Sequence, residues 1–433
     1  MDSVTAVNER LVIRGGRPLR GRVTVAGSKN GALYALAAAM LTADAVTIHG
    51  TPGIADVTEM AALLRALGAQ VEVSGSDVHV QAAEFTETRA APELVAALRA
   101  SFLVMGPLLA RTGEAACPPP GGDVIGMRPL DVHLSGFRAL GAEVTREGPA
   151  WAARATRLRG ARIFLDFPSV LGTVNIIFAA TLAEGTTTIV NAAAEPEVQM
   201  VAGMLNSMGA RVRGHGGNTV VVEGVERLHG TEFTLIPDRI EAGTFLLAGA
   251  STGGDVEVVG AVPHHLDSLI TKLGEAGVDV TLGDATVRVC CVDGLEPVQL
   301  QAVPYPGFPT DLHAPMAAML TQARGVSIIH ERVFENRLLY VGELRAMGAR
   351  ITTGGQVVMI EGPSSLTGTS VRALDLRAGA AVVIAGLCAE GETEVRDIVH
   401  LDRGYSHLVE RLQELGADVE RRSPPPSAAA PNV

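Results

Sequence analysis

A phrase that recurs six times along the chain constrains the fold more than any other feature. Each copy places apolar residues at helical spacing, then a glycine, then an alternating strand, as in "LRALGAQV", "FRALGAEV" and "LRAMGARI". The successive glycines are 73, 68, 68, 71 and 68 residues apart; they are Gly68, Gly141, Gly209, Gly277, Gly348 and Gly416. A period of this length predicts six copies of one structural unit.

Each predicted unit contains two helices of different character. One is Ala-rich and apolar nearly all round, such as "ALYALAAAML", and we expect it to be buried. The other precedes the glycine, is amphipathic and is expected to face solvent. Strands surround both helices, so the sequence predicts an α/β chain with two lobes of three units. Parallel buried helices would point several N-termini at one cleft, which favours anions there.

Composition excludes several classes of function. The net charge is −12 and no run of Lys or Arg stands out, which argues against nucleic acid or an anionic membrane as partner. The four cysteines form no C-x-x-C pair, so neither a disulfide framework nor a zinc site is indicated. No stretch is long and apolar enough to span a bilayer, and the start lacks a signal-peptide core, so we expect a cytoplasmic protein. We also expect the Pro- and Ala-rich tail, 423–433, to be disordered.

Lys29 is one of only two lysines, the other being Lys272, among 35 cationic residues. It opens the first apolar helix, and helix starts disfavour cations. The sequence therefore predicts an anionic partner for Lys29. An adjacent pair of histidines in "PHHLD" has no matching acidic pair, and we predict no metal site.

A loop over 118–130 has the composition of a lid. Its sequence, "PPPGGDVIGMRPL", is stiff at the proline end and adaptable at the glycines. The segment carries Asp123 and Arg128, and Asp131 and His133 follow it. The likeness of "GGDVIG" to a dinucleotide fingerprint is discarded because no first strand precedes it.

Four later segments place a charged residue at a turn or helix start: Asp311, Arg337, Arg377 and Arg403. A single exposed arginine usually forms a surface ion pair of little energetic value. Recurrence at comparable boundaries of several repeats is different, because repeat symmetry can bring these side chains to one cleft.

These motifs, in this order, resemble those of the enolpyruvyl transferases. The resemblance runs from about residue 10 to 422 and rests on "GSKNGAL", "LRAS", "PGGDVIGMRPLDVH", "FPSV", "AAAEPE", "PDRIEAGTF", "FPTD", "FENR", "DLRAG" and "DRGY". It implies a two-lobed inside-out α/β barrel of six βαβαββ repeats. The implied N-terminal lobe, 28–235, carries Lys29 and the lid. The implied C-terminal lobe, 1–27 with 236–433, carries Asp311 and the arginines.

The resemblance also implies an activity that needs no cofactor. Such enzymes add the enolpyruvyl group of phosphoenolpyruvate to a hydroxyl, through a tetrahedral ketal, and release phosphate. The implied acceptor is a uridine nucleotide, foremost the 3-hydroxyl of UDP-N-acetylglucosamine in peptidoglycan synthesis. One alternative is UMP, modified at its 3′-hydroxyl in nucleoside-antibiotic synthesis. Another is a homologue that binds nucleotide without turnover.

Roles for individual residues follow from the same resemblance. The implied catalytic residues are Lys29, Asp123, Asp311 and Arg403. The implied phosphoenolpyruvate ligands are Lys29, Arg128, Arg337, Arg377 and Arg403. The implied nucleotide and acceptor ligands are Asn30, Arg99, Arg128, Pro129, Leu130, Asp131, His133, Ser169, Val170, Leu171, Asp311 and Val333.

The chain departs from the family pattern at several of these positions. Asp123 stands where most members carry a cysteine, and Cys117 lies outside the motif, so we predict resistance to fosfomycin, which alkylates that thiol. Leu171 stands for a glycine, Ala194 for an arginine, Tyr305 for a histidine and His313 for a glutamine. We expect these departures to cluster around the acceptor.

Overall fold

The computed structural model describes residues 9–96 and 98–423, so the predicted disordered tail lies outside the described residues from 424 onward. Within these ranges the strands form six sheets, five of four strands and one of three. In strand order they are Ser370–Arg372, Glu392–Arg396, Arg10–Arg14 and Asp418–Arg422; Arg211–Arg213, Thr219–Glu223, Thr186–Val190 and Arg162–Phe164; Glu232–Thr234, Val46–His49, Asp77–Gln81 and Gln70–Ser74; Asp279–Leu282, Thr286–Cys290, Asp255–Val259 and Arg20–Thr24; Gln299–Ala302, Gly325–Glu331, Val357–Gly362 and Arg350–Gly354; Glu114–Cys117, Ala150–Arg154 and Glu143–Glu147.

The helices fall into the two predicted kinds. The largely buried, apolar helices are Lys29–Ala39, Met105–Thr112, Val170–Thr181, Arg239–Ser251, His313–Leu320 and Leu376–Cys388. The helices that precede the repeated glycine are Ala55–Ala66, Asp131–Ala139, Pro196–Ser207, Asp267–Glu275, Tyr340–Ala346 and Leu408–Glu414. Shorter helical turns are Pro92–Val95, Arg99–Val104, Pro263–Leu266, Thr310–Leu312 and Val399–Asp402.

The six repeated glycines all have the left-handed backbone conformation that ends a helix. Their φ angles lie between 80° and 109°, a range in which only glycine avoids a steric penalty. The sequence period therefore corresponds to six equivalent helix ends, as predicted. One unit is incomplete. Where the other sheets have a fourth strand, the sheet that contains Glu114–Cys117 has only a single bridge, between Arg89 and Ala116. The chain does not continue as a strand there because Pro92 soon begins a helical turn.

Strands from the chain's beginning pair with strands from its second half. Arg10–Arg14 lies antiparallel to Glu392–Arg396 and Asp418–Arg422, and Arg20–Thr24 lies parallel to Asp255–Val259. The two segments that connect the predicted lobes, around residues 27 and 236, run side by side, with a bridge between Gly27 and Pro237.

The buried apolar residues form two clusters. One contains residues from Ala32 to Leu235, and the other joins Leu11–Val23 to Ile240–Val419. Both are built mainly from Ala, Val, Leu and Ile, in keeping with 3% aromatic residues. Division into two lobes at 27 and 236 is consistent with these clusters and stays a prediction.

Candidate functional site

A cavity of about 510 Å³ is lined by residues from both predicted lobes. It includes eleven of the twelve predicted nucleotide and acceptor residues: Asn30, Arg99, Arg128, Pro129, Asp131, His133, Ser169, Val170, Leu171, Asp311 and Val333. The twelfth, Leu130, packs against the first hydrophobic cluster instead. A cavity of this size can hold a small nucleotide.

Several helices begin at the wall of this cavity. Asn30 lies in the first turn of Lys29–Ala39, Val170 begins Val170–Thr181, and Ile240 lies in the first turn of Arg239–Ser251. The unpaired N–H groups of first turns carry partial positive charge. The first two helix starts therefore favour an anionic ligand in the cavity, whereas at the third the Asp238 carboxylate already accepts hydrogen bonds from the N–H groups of Ile240 and Glu241.

One half of a charged cluster is organised around a carboxylate that sequence reasoning missed. Asp56, in the first turn of Ala55–Ala66, is fully buried and lies 2.7 Å from Lys29 Nζ and 2.9 Å from Arg403 Nε. Arg403 also contacts Asp123 at 2.5 Å. Asp56 is thus the anionic partner predicted for Lys29. An acidic residue in a first turn is so common that its sequence gives no signal of this role.

The other half is centred on Asp311. Its Oδ1 accepts a hydrogen bond from Arg337 Nη2 at 2.8 Å, and its Oδ2 accepts two from Arg377, at 3.0 and 3.1 Å. Both arginines are almost completely buried. Burial alone would raise the pKa of Asp311, but Arg377 and Arg337 hold that pKa well below its usual range.

Asp123 is also held in its ionised form. Burial alone would raise its pKa, yet the charges of Arg403 and Lys29 lower the pKa of this carboxyl. Arg128 donates a hydrogen bond to the Asp123 carbonyl and adds its own charge beside the two carboxylates. The structure therefore brings all the predicted catalytic and phosphoenolpyruvate residues into one cluster.

The predicted lid, 118–130, contains no helix or strand and lies against residues 335 and 336. Met127 N donates to Glu335 Oε1 at 2.7 Å, and Asn336 Nδ2 donates to the Val124 carbonyl at 3.1 Å. The side chains of Met127 and Val124 remain exposed. These contacts hold Asp123 over the cluster.

Near the predicted nucleotide end, the structure fixes a partly buried arginine and a buried histidine. Arg99 donates a hydrogen bond to the Arg128 carbonyl, while burial and the Arg128 charge lower the pKa of Arg99 to about 10. His133 Nδ1 lies 3.0 Å from Asn175 Nδ2. Burial, together with the Arg99 charge, lowers the pKa of His133 to about 3, so its ring is neutral at pH 7.

Comparison with known proteins identifies the family. The sequence model described as EPSP synthase (3-phosphoshikimate 1-carboxyvinyltransferase) matches residues 13–412. The chain belongs to this family of enolpyruvyl transferases. UDP-N-acetylglucosamine 1-carboxyvinyltransferase 2 of Carboxydothermus hydrogenoformans is 49% identical over 417 residues, covering 96% of this chain and 100% of that protein. UDP-N-acetylglucosamine 1-carboxyvinyltransferase 1 of Caldanaerobacter subterraneus subsp. tengcongensis is 47% identical over 413 residues, with 95% and 99% covered.

Solved structures confirm the predicted fold class. The enolpyruvyl transferase NikO from Streptomyces tendae superimposes with a TM-score of 0.88 at 28% identity, over 96% of this chain and 100% of that one. EPSP synthase from Acinetobacter baumannii has the same fold, with a TM-score of 0.71 at 19% identity over 96% and 100% of the chains. The family names also confirm the prediction of an enzyme over that of a binding protein without turnover.

Two of the four departures from the enolpyruvyl transferase pattern lie elsewhere than predicted. Leu171 and Tyr305 line the cavity, but Ala194 and His313 do not. The expectation that all four surround the acceptor was therefore wrong. His313 is buried beside Glu331 and Tyr340, because its helix, His313–Leu320, has no solvent-facing side.

A further part of the cavity wall was missed by sequence reasoning. Arg239 Nε donates to Glu197 at 3.0 Å, and the guanidinium lies 5.7 Å from the centre of the Tyr305 ring. Glu195 is beside them, and burial raises the pKa of its carboxyl. Glu195 Oε2 has no hydrogen-bond partner within the described residues. Glu195, Glu197 and Arg239 lie within the motifs "AAAEPE" and "PDRIEAGTF", but no role was predicted for them.

In the described part of the chain, no three or more His, Cys, Asp or Glu side chains are grouped so that they could hold a metal ion. None of the helices there has the length and apolar character that crossing a bilayer requires.

Proposed function

We propose that this enolpyruvyl transferase transfers the enolpyruvyl group of phosphoenolpyruvate to the 3-hydroxyl of UDP-N-acetylglucosamine and releases phosphate. The charged cluster beside the cavity carries the proposal. Its five cations exceed its three carboxylates by two; the members are Lys29, Arg128, Arg337, Arg377, Arg403, Asp56, Asp123 and Asp311. Phosphoenolpyruvate is a compact anion that needs buried cations. The names of relatives at 46–49% identity support the acceptor.

In the proposed complex the two ends of the donor face different cations. Lys29 and Arg128 bind the phosphate, where a compact ammonium suits one oxygen. The carboxylate lies against Arg337, Arg377 and Arg403, whose planar forks match two oxygens. In the free protein, the Asp311 and Asp123 carboxylates accept hydrogen bonds from these three arginines, so the donor competes with them for guanidinium contacts.

The proposed reaction has two stages. In the first, the acceptor oxygen bonds to C2 of the donor, its proton passes to the Asp311 carboxylate, and C3 receives a proton from Asp123. In the second, C3 returns a proton to the Asp123 carboxylate, the bond between C2 and the phosphate oxygen breaks, and phosphate leaves with the proton held by Asp311. Asp311 is ionised in the free protein, as a base must be. Asp123 must first gain a proton, which becomes easier once the donor's carboxylate draws Arg403 away from it.

One observation favours UMP as a second candidate acceptor. Leu171 lies on the cavity wall where the family pattern has glycine, so its side chain occupies space at the predicted diphosphate position. A shorter nucleotide would avoid that contact.

One assay separates these acceptors. Purified protein is supplied with phosphoenolpyruvate and either UDP-N-acetylglucosamine or UMP, and phosphate release is measured. We expect release with the UDP-sugar. Release with UMP alone contradicts the first proposal, and release with neither contradicts both.

A substitution tests the assignment of the base. Asp311→Asn removes the proton acceptor, so turnover is expected to be lost while calorimetry still detects nucleotide binding. The control, Asp402→Asn, changes an exposed carboxylate paired with Arg421 and should retain turnover. Unchanged turnover by Asp311→Asn refutes the assignment.

A further inference from the structure

Another buried carboxylate, Glu331, lies behind Asp311 and outside the cavity. It ends the strand Gly325–Glu331 and is fully buried. Its Oε1 accepts hydrogen bonds from the backbone N–H groups of Val333 at 2.7 Å and Phe334 at 3.1 Å. Its Oε2 accepts one from Thr310 Oγ1 at 2.6 Å. Such a charge is retained in an interior only when it is well paired.

The partners of Glu331 reach the site from two directions. Thr310 Oγ1 accepts a hydrogen bond from Arg337 Nη1 at 3.1 Å, and Arg337 Nη2 donates to Asp311. Val333 and Phe334 line the cavity. One side chain therefore connects the arginine that contacts Asp311 with the neighbouring cavity wall.

His313 supports Glu331 from the core. Its ring is fully buried, with Nδ1 3.2 Å from Glu331 Oε2, although this contact is not a well-aligned hydrogen bond. Nε2 lies 3.0 Å from Tyr340 Oη. Burial lowers the pKa of His313, so the ring is neutral. The neutral tautomer that satisfies both neighbours carries its proton on Nδ1 and accepts from Tyr340.

We propose that Glu331 and His313 are positioning residues that hold Arg337 against Asp311 and thereby set the donor-binding geometry and the proton affinity of the base. The inference rests on the proposed function and deepens it. Neither residue contacts the cavity, so each acts through Thr310 and Arg337. The path from Tyr340 through His313, Glu331 and Thr310 to Arg337 carries the inference; it is hydrogen-bonded except at the 3.2 Å contact between His313 and Glu331.

Three substitutions distinguish positioning from simple packing. Glu331→Gln keeps the shape but replaces an accepting oxygen with a donating amide. His313→Leu keeps the volume but removes both polar contacts. His313→Gln can still donate toward Glu331 and accept from Tyr340, so it should rescue. The control is Ile329→Val, which loses a methyl group on the buried face of the same strand, two residues from Glu331.

For Glu331→Gln and His313→Leu we expect kcat/KM for phosphoenolpyruvate to fall about 10- to 100-fold, as for displacement of a reacting group by about 1 Å. The KM for the nucleotide acceptor should change much less. His313→Gln and Ile329→Val should stay within about threefold of the parent, since both keep the hydrogen-bonded path. Melting temperatures identify any variant that fails to fold, and the rescue variant then decides the question.

The pH profile gives a readout that a packing defect does not move. The charged and titratable groups whose fields act on Asp311 are Arg377, Arg337, Lys29, Arg128, Arg239 and Tyr34. If Arg337 loses its support, the pKa of Asp311 rises toward its usual value. Activity that requires ionised Asp311 is lost as pH falls through that pKa, so the acidic limb should move to higher pH in Glu331→Gln and His313→Leu only.

The outcomes separate the inference from the proposed function. No phosphate release by the parent protein refutes the function. An active parent whose Glu331→Gln and His313→Leu variants keep both kcat/KM and the acidic limb refutes the positioning role. Equal loss in His313→Gln and His313→Leu also refutes it, because polar contact with Glu331 would then be irrelevant.

Discussion

Asp56→Asn is the substitution that most directly tests how the cationic cluster is held together. Asp56 is fully buried and contacts Lys29 through one oxygen and Arg403 through both. The side chains of Lys29 and Arg403 are themselves only 10% and 14% exposed, so water cannot replace the lost partner. Asparagine preserves the shape and one accepting oxygen but removes the charge.

The expected loss of stability follows from the cost of leaving a buried charge unpaired, about 3–5 kcal/mol. Asparagine retains one accepting oxygen, so the lower value, about 3 kcal/mol, is appropriate. For a predicted lobe of roughly 200 residues, that loss lowers the melting temperature by about 6–12 °C. The field at the site becomes more positive, so the anionic donor should recover part of the loss.

The measurement is thermal unfolding by circular dichroism, with and without phosphoenolpyruvate. Glu59→Gln is the matched control, because Glu59 is a half-buried carboxyl on the same helix and its Oε2 has no hydrogen-bond partner in the described residues. Burial raises the pKa of Glu59, so removing its charge should cost little. Equal melting temperatures for the two variants, or no added stabilisation of Asp56→Asn by the donor, would refute the reasoning.

Other predictions concern inhibitor, donor and acid. Fosfomycin should leave the protein active, since Asp123 offers no thiol and burial raises the pKa of the Cys117 thiol. The Asp123→Cys variant should gain the mass of one inhibitor molecule, measured by mass spectrometry. Labelling of Cys117 would contradict this prediction. Arg377→Lys should raise the KM for phosphoenolpyruvate about 10- to 100-fold, since a charged hydrogen bond is worth about 1.5–3 kcal/mol; an unchanged KM excludes Arg377 from the donor site. The depressed pKa of Asp311 stabilises the fold above the ordinary aspartate pKa, near 4, and this stability is lost as pH falls through the folded-state value. Asp311→Asn should therefore unfold with a weaker dependence on acid, measured by melting temperature from pH 6 downward.

The fold was predictable because the repeated phrase encodes a local event. A helix that ends at a glycine in the left-handed conformation needs no distant partner for that ending. Gly68 and Gly416 therefore indicate the same helix end in distant parts of the chain. Buried and amphipathic helices were likewise distinguishable by periodicity. The incomplete sheet beside Arg89 was missed because the residues before Pro92 show no unusual strand composition.

The site was only partly predictable, for a physical reason. Lys29 stands out because it is one of only two lysines and opens an apolar helix. Asp56 does not, because an acidic residue in a first turn is ordinary, and its contact with Arg403 spans 347 residues. The contacts of Glu195 and Glu331 likewise depend on partners that only the folded chain brings together.

The arrangement of charges also links donor binding to the strength of the base. In the free protein, Arg337 and Arg377 hold the pKa of Asp311 so low that it accepts a proton poorly. A bound phosphoenolpyruvate carboxylate shares those guanidinium groups and adds negative charge, and both effects raise the pKa of Asp311. We therefore expect Asp311 to become an effective base only after the donor is in place. The arginines that attract the donor therefore also keep Asp311 from deprotonating the acceptor hydroxyl while no donor is bound.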